Sequence, residues 1–241
     1  MNTTLLYSTK MSQSSLFEEG EIIQSADISG IPPVMPVGIP DALFELSVEA
    51  YYAALYASMS ELPIKGEISR FVAKVVEAGK GAKSGGERAA AGRAAGDRGD
   101  ADVLAVLKAA GKVRHEIHRI TGFLRFMEGS NGVYTARCAP DHYILPALAE
   151  HFTLRFGETP WAIIDVKRKL CLCRECGGPA RLILWSPDPQ ATIPEKTASD
   201  SWEDLWRLYH RSINNEARKN LHLQRQLVPE RYQKFLAEFK N

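Results

Sequence analysis

Cysteine is scarce in this sequence, and long apolar runs are absent from it. Four cysteines among 241 residues are too few and too unevenly spaced for the disulfide framework of a small secreted protein. The longest apolar run, Ala50–Ala57, is far too short to cross a bilayer, and the N-terminus has no apolar core of the length that a signal peptide needs. These absences predict a cytoplasmic protein with no membrane partner.

Several motifs that mark catalytic or nucleotide-binding proteins are also missing. No GxxxxGK[ST] phosphate loop occurs, and no GxSxG nucleophile motif. His115 and His118 are three residues apart, so they do not form the HExxH motif of zinc peptidases. The sequence therefore predicts no cofactor and leaves enzymatic activity open.

Basic residues are almost absent from the first quarter of the chain. Residues 1–61 hold one basic residue, Lys10, and eight acidic ones, whereas residues 62–241 hold 29 basic and 21 acidic residues. The formal net charge of +1 hides this asymmetry. A basic body behind an acidic leader indicates a polyanionic partner.

The apolar pattern predicts a flexible acidic leader over residues 1–40 and a single α+β domain over residues 41–241. Two predicted hairpins flank one helix, which indicates a small antiparallel sheet with N- and C-terminal helices packed around it. Helices are predicted from Asp41, over 67–78, 87–98, about 100–121, 140–156 and 202–217, and after Pro229. Strands are predicted over 123–128, 133–138, 161–166, 170–174 and 181–185.

The central predicted helix and the strand after it meet in the stretch Gly111–Phe126, and Gly122 is expected to end the helix. One narrow arc of this helix is apolar and suits a core. The opposite arc carries Lys112, His115, Glu116 and Arg119, with Arg114 and His118 on its flanks. Together with Arg125 of the strand, this face predicts a phosphate-binding surface. A merely solvated charged face would show the same spacing.

A second basic stripe is predicted near the C-terminus. Arg211, Arg218 and Arg225 repeat every seven residues, so they share a face if one helix continues to about Leu227. Asn220 and Gln224 lie near this line, and amides can read base edges. The predicted nucleic-acid contacts are Lys112, Arg114, His115, Arg119, Arg125, Arg211, Arg218, Asn220, Gln224 and Arg225.

Two further groups of residues could carry chemistry. Cys171, Cys173 and Cys176 have a spacing that suits zinc or an iron–sulfur cluster, but two of them share one side of a predicted strand, where half-buried thiols are common. The pattern favours packed thiols, and no metal is predicted. The candidates for a general acid–base pair, if the fold brings them together, are Glu116, His118, His151 and Asp165.

Several groups of residues, in order over about residues 40–241, resemble a bacterial family that is ascribed to DNA metabolism and carries a domain of unknown function. They are Lys112-Val113-x-x-Glu116-x-His118-Arg119 with Gly122–Phe126, His151-Phe152-x-x-Arg155-Phe156, Trp161-x-Ile163-x-Asp165-x-x-Arg168, and Trp206-x-x-Tyr209 with Arg218-x-Asn220 and Pro229-x-x-Tyr232. The resemblance implies a role in DNA repair beside a radical SAM protein. Some members are fused to a uracil-DNA glycosylase-like domain. The resemblance implies neither a reaction nor catalytic residues. The acidic leader and the cysteine cluster are not part of the pattern of that family.

Three functional hypotheses follow. The first is a nucleic-acid-binding protein of DNA metabolism that works with a radical SAM partner. The second is a DNA glycosylase or nuclease that uses a His/carboxylate pair. The third is an adaptor that recruits the radical SAM protein through exposed aromatic residues such as Trp202 and Tyr209.

Overall fold

The computed structural model describes residues 39–81, 85–129, 132–185, 208–209, 212, 220–236 and 239. Positions 1–38 of the predicted leader lie outside these residues. So do positions 130–131, in the turn of the first predicted hairpin, and most of 186–219. The chain divides into two compact units. The described residues of Pro32–Arg119, with Asp141–Ile144, form the helical unit. Those of Ile120–Pro140 and Leu145–Asn241 form the sheet unit.

The helical unit is built from five helices, the last of which runs on into the sheet unit. They are α1 (Asp41–Leu46), α2 (Val48–Ser58), α3 (Lys65–Lys80), α4 (Glu87–Gly96) and α5 (Ala101–Phe123). Buried side chains from all five form one hydrophobic cluster, which includes Leu43, Ala54, Phe71, Ala91 and Val106. Small alanines on α2 and α4 allow these short helices to pack closely, and burial of the apolar faces stabilises them.

The start of α5 is fixed by two aspartates. Asp100 caps the helix, because its side chain accepts hydrogen bonds from the backbone N–H groups of Asp102 and Val103. Arg70 and Lys74 of α3 bind the Asp102 carboxylate at 2.8 Å each, and Lys74 also binds Asp100. These contacts tie α3 to the first turn of α5.

The sheet unit contains five strands in the order of the chain. They are β1 (Met127–Glu128), β2 (Tyr134–Cys138), β3 (Trp161–Asp165), β4 (Leu170–Arg174) and β5 (Arg181–Leu184). Helix α6 (Leu145–Phe156) connects β2 to β3, and its Phe152 packs against Trp161 of β3. Two short helices near the C-terminus, α7 (Leu221–Leu227) and α8 (Glu230–Gln233), follow. Tyr232 of α8 is buried against Phe123.

The α+β prediction is confirmed, but the sheet is mixed and not wholly antiparallel. The two hairpins pair antiparallel as predicted, β1 with β2 and β3 with β4. Strands β2 and β3 are parallel, from Tyr134 opposite Trp161 to Cys138 opposite Asp165. The reason is the α6 crossover, which returns the chain to the same end of the sheet before β3 begins.

Other differences concern where elements begin and end. Gly122 does not end α5, because a glycine in the last turn costs little and the helix ends one residue later. The predicted strand 123–128 shrinks to Met127–Glu128. The helix predicted from Asp141 begins only at Leu145, because the backbone of Asp141 and His142 is held by Glu116. None of the helices in the described part of the chain combines the length and apolar composition that a bilayer span requires.

Candidate nucleic-acid interface

Helix α5 presents one basic face on a rigid element. Its 23 residues bury Val103, Val106 and Ala110 in the core of the helical unit and also bury Val113, while Gly111, Lys112 and other charged residues of the opposite arc are exposed. A helix packed along one side for several turns has little freedom to bend or unwind. The polar side chains therefore start from fixed backbone positions.

Four cationic or titratable residues line this face at helical spacing. Lys108, Lys112 and His115 are exposed and Arg119 is half-buried. Steps of four, three and four residues place them in one row, which we call the basic stripe. The row spans about 16 Å at 1.5 Å per residue. Sequence reasoning found the last three and missed Lys108, which the same spacing rule, four residues before Lys112, could have found.

Both carboxylates of α5 are turned away from the basic stripe. Asp102 is paired with Arg70 and Lys74 in the first turn, and these two cations lower the pKa of its carboxyl group to about 2. Glu116 is only 5% exposed and accepts hydrogen bonds from the backbone N–H groups of Asp141 at 2.7 Å and His142 at 2.8 Å. The placement of Glu116 on the exposed arc was therefore wrong, because these two backbone donors hold its side chain inward.

Cationic neighbours flank the basic stripe. Arg114 and His118 are exposed on the edges of the same arc. Among the ion pairs of the described residues, none engages Lys108, Lys112, Arg114 or His115. This surface of α5 therefore has positive charges that the described part of the molecule does not neutralise.

Arg125 lies in the sheet unit and has a local structural contact. Its Nη1 donates a hydrogen bond to the carbonyl of Gly122 at 2.8 Å. Gly122 is in the last turn of α5, where carbonyl groups lack helical partners and a guanidinium is favourable. The contact of Arg125 with phosphate stays a prediction.

The C-terminal stripe is interrupted at Asn220. The side-chain oxygen of Asn220 accepts a hydrogen bond from the backbone N–H of Leu223 at 3.0 Å, so a new helix begins there and α7 does not continue an earlier one through this residue. Arg211 and Arg218 lie outside the described residues, as do the side chains of Gln224 and Arg225. Their phosphate and base contacts stay predictions.

Asp165, a candidate acid or base, holds a turn of the sheet unit together. It is fully buried, and its carboxylate accepts hydrogen bonds from the backbone N–H groups of Lys167 and Arg168. The Arg168 guanidinium pairs with it at 2.8 Å and also donates to the carbonyl of Pro140. The Asp165-x-x-Arg168 motif is thus a clamp that joins the β3–β4 turn to the end of β2.

The other acid–base candidates are placed less favourably for joint chemistry. Glu116 is buried and His118, two residues further along α5, is exposed, so the two side chains leave the helix on different sides. His151 is exposed on α6 and packs edge-on against Phe152. The catalytic assignment of the four residues stays a prediction.

The cysteines are mostly packed in the sheet. Cys171 and Cys173 are buried on one side of β4 with Ala162 and Ile164, whereas Cys176 is exposed. A hydrogen bond from the Cys171 thiol lowers the pKa of Cys173, although burial acts in the opposite direction. Among the described residues, no group of three or more His, Cys, Asp or Glu side chains is arranged to hold a metal ion.

Comparison with known protein families gives a match over much of the chain. Residues 87–238 match the model of the family described as a domain of unknown function, DUF4130. No curated protein and no solved structure matches the chain significantly. The matched residues include the whole of α5 with its basic stripe and the sheet, and they exclude α1, α2 and α3. Because the match covers more than half of the sequence, the chain belongs to the DUF4130 family.

Proposed function

We propose that this protein binds nucleic acid through the basic stripe of α5. The observation that carries the proposal is a row of cations on one rigid helix whose two carboxylates are both engaged elsewhere. A solvated helix face ordinarily mixes both signs of charge, because i,i+4 pairs of opposite charge stabilise it. Among the ion pairs of the described residues, none joins a carboxylate to Lys108, Lys112 or His115.

The length of the stripe favours a polymer over a small anion. A row of about 16 Å is as long as several phosphates along one strand, which rise about 3.4 Å each in a duplex. Lysine and arginine contacts to phosphates supply affinity without reading sequence. The proposed activity is therefore binding with strong salt dependence and little base preference from this face.

We assign the protein to DNA metabolism, with DNA as its nucleic acid and a radical SAM repair or modification protein as its partner. The support is the resemblance carried by the motifs of α5 and the sheet. A reducing, cytoplasmic location agrees with four free cysteines, one of them exposed.

The first experiment measures binding of the full chain to a fluorescein-labelled DNA of about 20 nucleotides, single-stranded and duplex, by fluorescence anisotropy. We expect the double variant Lys108→Gln/Lys112→Gln to bind about ten-fold more weakly at low salt, because two cations that neutralise phosphates are removed. Lys65→Gln is the matched control. Lys65 is an exposed lysine at the start of α3 in the same unit and is not part of the basic stripe.

Two results would contradict the proposal. The unaltered chain could fail to bind either DNA at low salt, or the double variant could bind as tightly as Lys65→Gln. An RNA of the same sequence in parallel tests the assignment to DNA. Tighter binding of RNA would agree with the proposed role of the basic stripe but would contradict the assignment to DNA.

A further inference from the structure

Helices α1 and α2 carry exposed apolar side chains that are not part of the basic stripe on α5. Phe44 of α1 is 43% exposed, and Val48 and Tyr52, one turn apart on α2, are each 44% exposed; the extended Ser47 separates the two helices. Single apolar side chains on a surface need no explanation, but neighbouring ones on one face indicate a binding surface. The residues Phe44, Val48, Tyr51, Tyr52 and Tyr56 are called the aromatic row below.

The rings of the aromatic row are held in place by one another. Phe44 meets Tyr51 edge-on with centroids 5.3 Å apart, Tyr51 meets Tyr52 edge-on at 5.7 Å, and Tyr52 stacks on Tyr56 at 6.1 Å. On the other side of α2, alanines are buried in the core of the unit. Rings that are already ordered lose little side-chain entropy when a partner covers them.

The aromatic row is bordered by negative charge. Asp41, Glu45 and Glu49 are exposed beside it, and residues 41–58 contain no basic residue. None of these three carboxylates has a cationic partner among the ion pairs of the described residues. Burial and, secondly, the charge of Asp41 raise the pKa of the Tyr51 hydroxyl.

We infer that the aromatic row docks a segment of a partner protein that presents arginine between apolar side chains. Guanidinium groups stack on aromatic rings and pair with carboxylates, so one arginine satisfies both features of this surface. Tyrosine and phenylalanine are also enriched in protein interfaces. Nucleic acid does not fit, because three carboxylates repel phosphates.

Two other occupants fit less well. Residues 1–38 of this chain hold four acidic residues and one basic residue, so their charge has the wrong sign for this surface. In a second copy of the chain, α1 and α2 carry the same negative charges. The aromatic row lies outside residues 87–238, the part of the chain that the family model matches.

The test uses the full chain and two labelled helical peptides of equal length, measured by anisotropy. The first peptide places arginine and leucine on one face among alanines, and the second keeps the arginines but replaces every leucine with serine. We expect the first to bind about ten-fold more tightly, and Phe44→Ser/Tyr52→Ser to remove about that factor. Glu45→Gln, which keeps the apolar surface, should weaken binding about three-fold.

Leu154→Ser is the matched control, because Leu154 is 77% exposed on α6 and is far along the chain from the acidic border. It should bind the first peptide as the unaltered chain does, and the DNA affinity of Phe44→Ser/Tyr52→Ser should be unchanged.

Equal binding of the two peptides, or full affinity in both Phe44→Ser/Tyr52→Ser and Glu45→Gln, would overturn the inference. So would weakened DNA binding in the aromatic variant, or self-association of the chain that this variant abolishes in sedimentation experiments. Failure to bind DNA at all would overturn only the proposed function.

Discussion

The helical unit and the sheet unit differ in the charges that they leave exposed. In the sheet unit, the buried charges are satisfied internally: Asp165 by Arg168 and two backbone N–H groups, and Arg174 by the carbonyls of Gly157 and Gly178. In the helical unit, Asp102 and Glu116 are also engaged internally, but Lys108, Lys112 and His115 of the basic stripe and the carboxylates beside the aromatic row are exposed. Buried charged residues therefore stabilise the fold in both units, whereas the exposed charges of the helical unit are the ones that our proposals assign to partners.

The largest effect is expected at Asp165. Asp165→Ala leaves the Arg168 guanidinium and two backbone N–H groups without their carboxylate in a buried place, which should lower the free energy of unfolding by about 3 to 5 kcal/mol. Urea denaturation of the purified variant measures this. The control is Glu150→Ala, at an exposed position of α6. Equal stability of the two variants would contradict the structural role of Asp165 in the sheet unit.

Glu116 tests whether a buried carboxylate of the helical unit is also structural. Glu116→Ala orphans the N–H groups of Asp141 and His142, so we expect a decrease in stability of about 1 to 3 kcal/mol. DNA affinity measured at a temperature where the variant is folded should stay unchanged. A stable variant that no longer binds DNA would show that Glu116 serves the interface instead, and Glu77→Ala, at an exposed position of α3, is the matched control.

Gly111 tests whether the outer face of α5 is open to solvent. It is helical, and a methyl group added there would meet no atom within 4 Å, so Gly111→Ala should raise stability by about 1 kcal/mol. Gly79→Ala is the contrasting variant, because its methyl group would lie 2.8 Å from the Leu46 side chain and force it to move. A smaller gain at Gly111 than at Gly79 would contradict the packing described for α5.

The smallest effect is expected from pH. The contacts of Asp102 with Arg70 and Lys74 lower the pKa of its carboxyl group from 3.8 to about 2 in the folded state. Between these two pKa values, the Asp102 carboxyl group binds a proton more readily in the unfolded chain than in the folded one. Stability from this group is therefore complete above about pH 4 and disappears as the pH falls towards about 2. Asp102→Asn should flatten this part of a plot of urea midpoint against pH, and an unchanged slope would contradict the pairing.

Local patterns predicted the elements well where periodicity was strong. The residues of β4 and the start of α4 agree with the prediction, and the ends of α3 and α5 differ from it by one or two residues, because apolar spacing and capping groups are local properties. The parallel pairing of β2 with β3 could not be predicted, because it depends on where the α6 crossover returns the chain.

The candidate site was predictable in part for the same reason. Helical spacing alone placed Lys112, His115 and Arg119 in one row, and extending it by one turn adds Lys108. Spacing also put Glu116 on the exposed arc, and there it was wrong. The donors that hold Glu116 belong to Asp141 and His142, 25 and 26 residues away in the sequence, so only the folded chain reveals them.

The most direct measurement of the central claim is the salt dependence of DNA binding. The logarithm of the association constant should fall linearly with the logarithm of the salt concentration, and Lys108→Gln/Lys112→Gln should reduce the slope by about two, since each lysine is expected to neutralise one phosphate. Lys65→Gln should leave the slope unchanged. A slope in the double variant equal to that of the unaltered chain would show that α5 does not bind the DNA backbone.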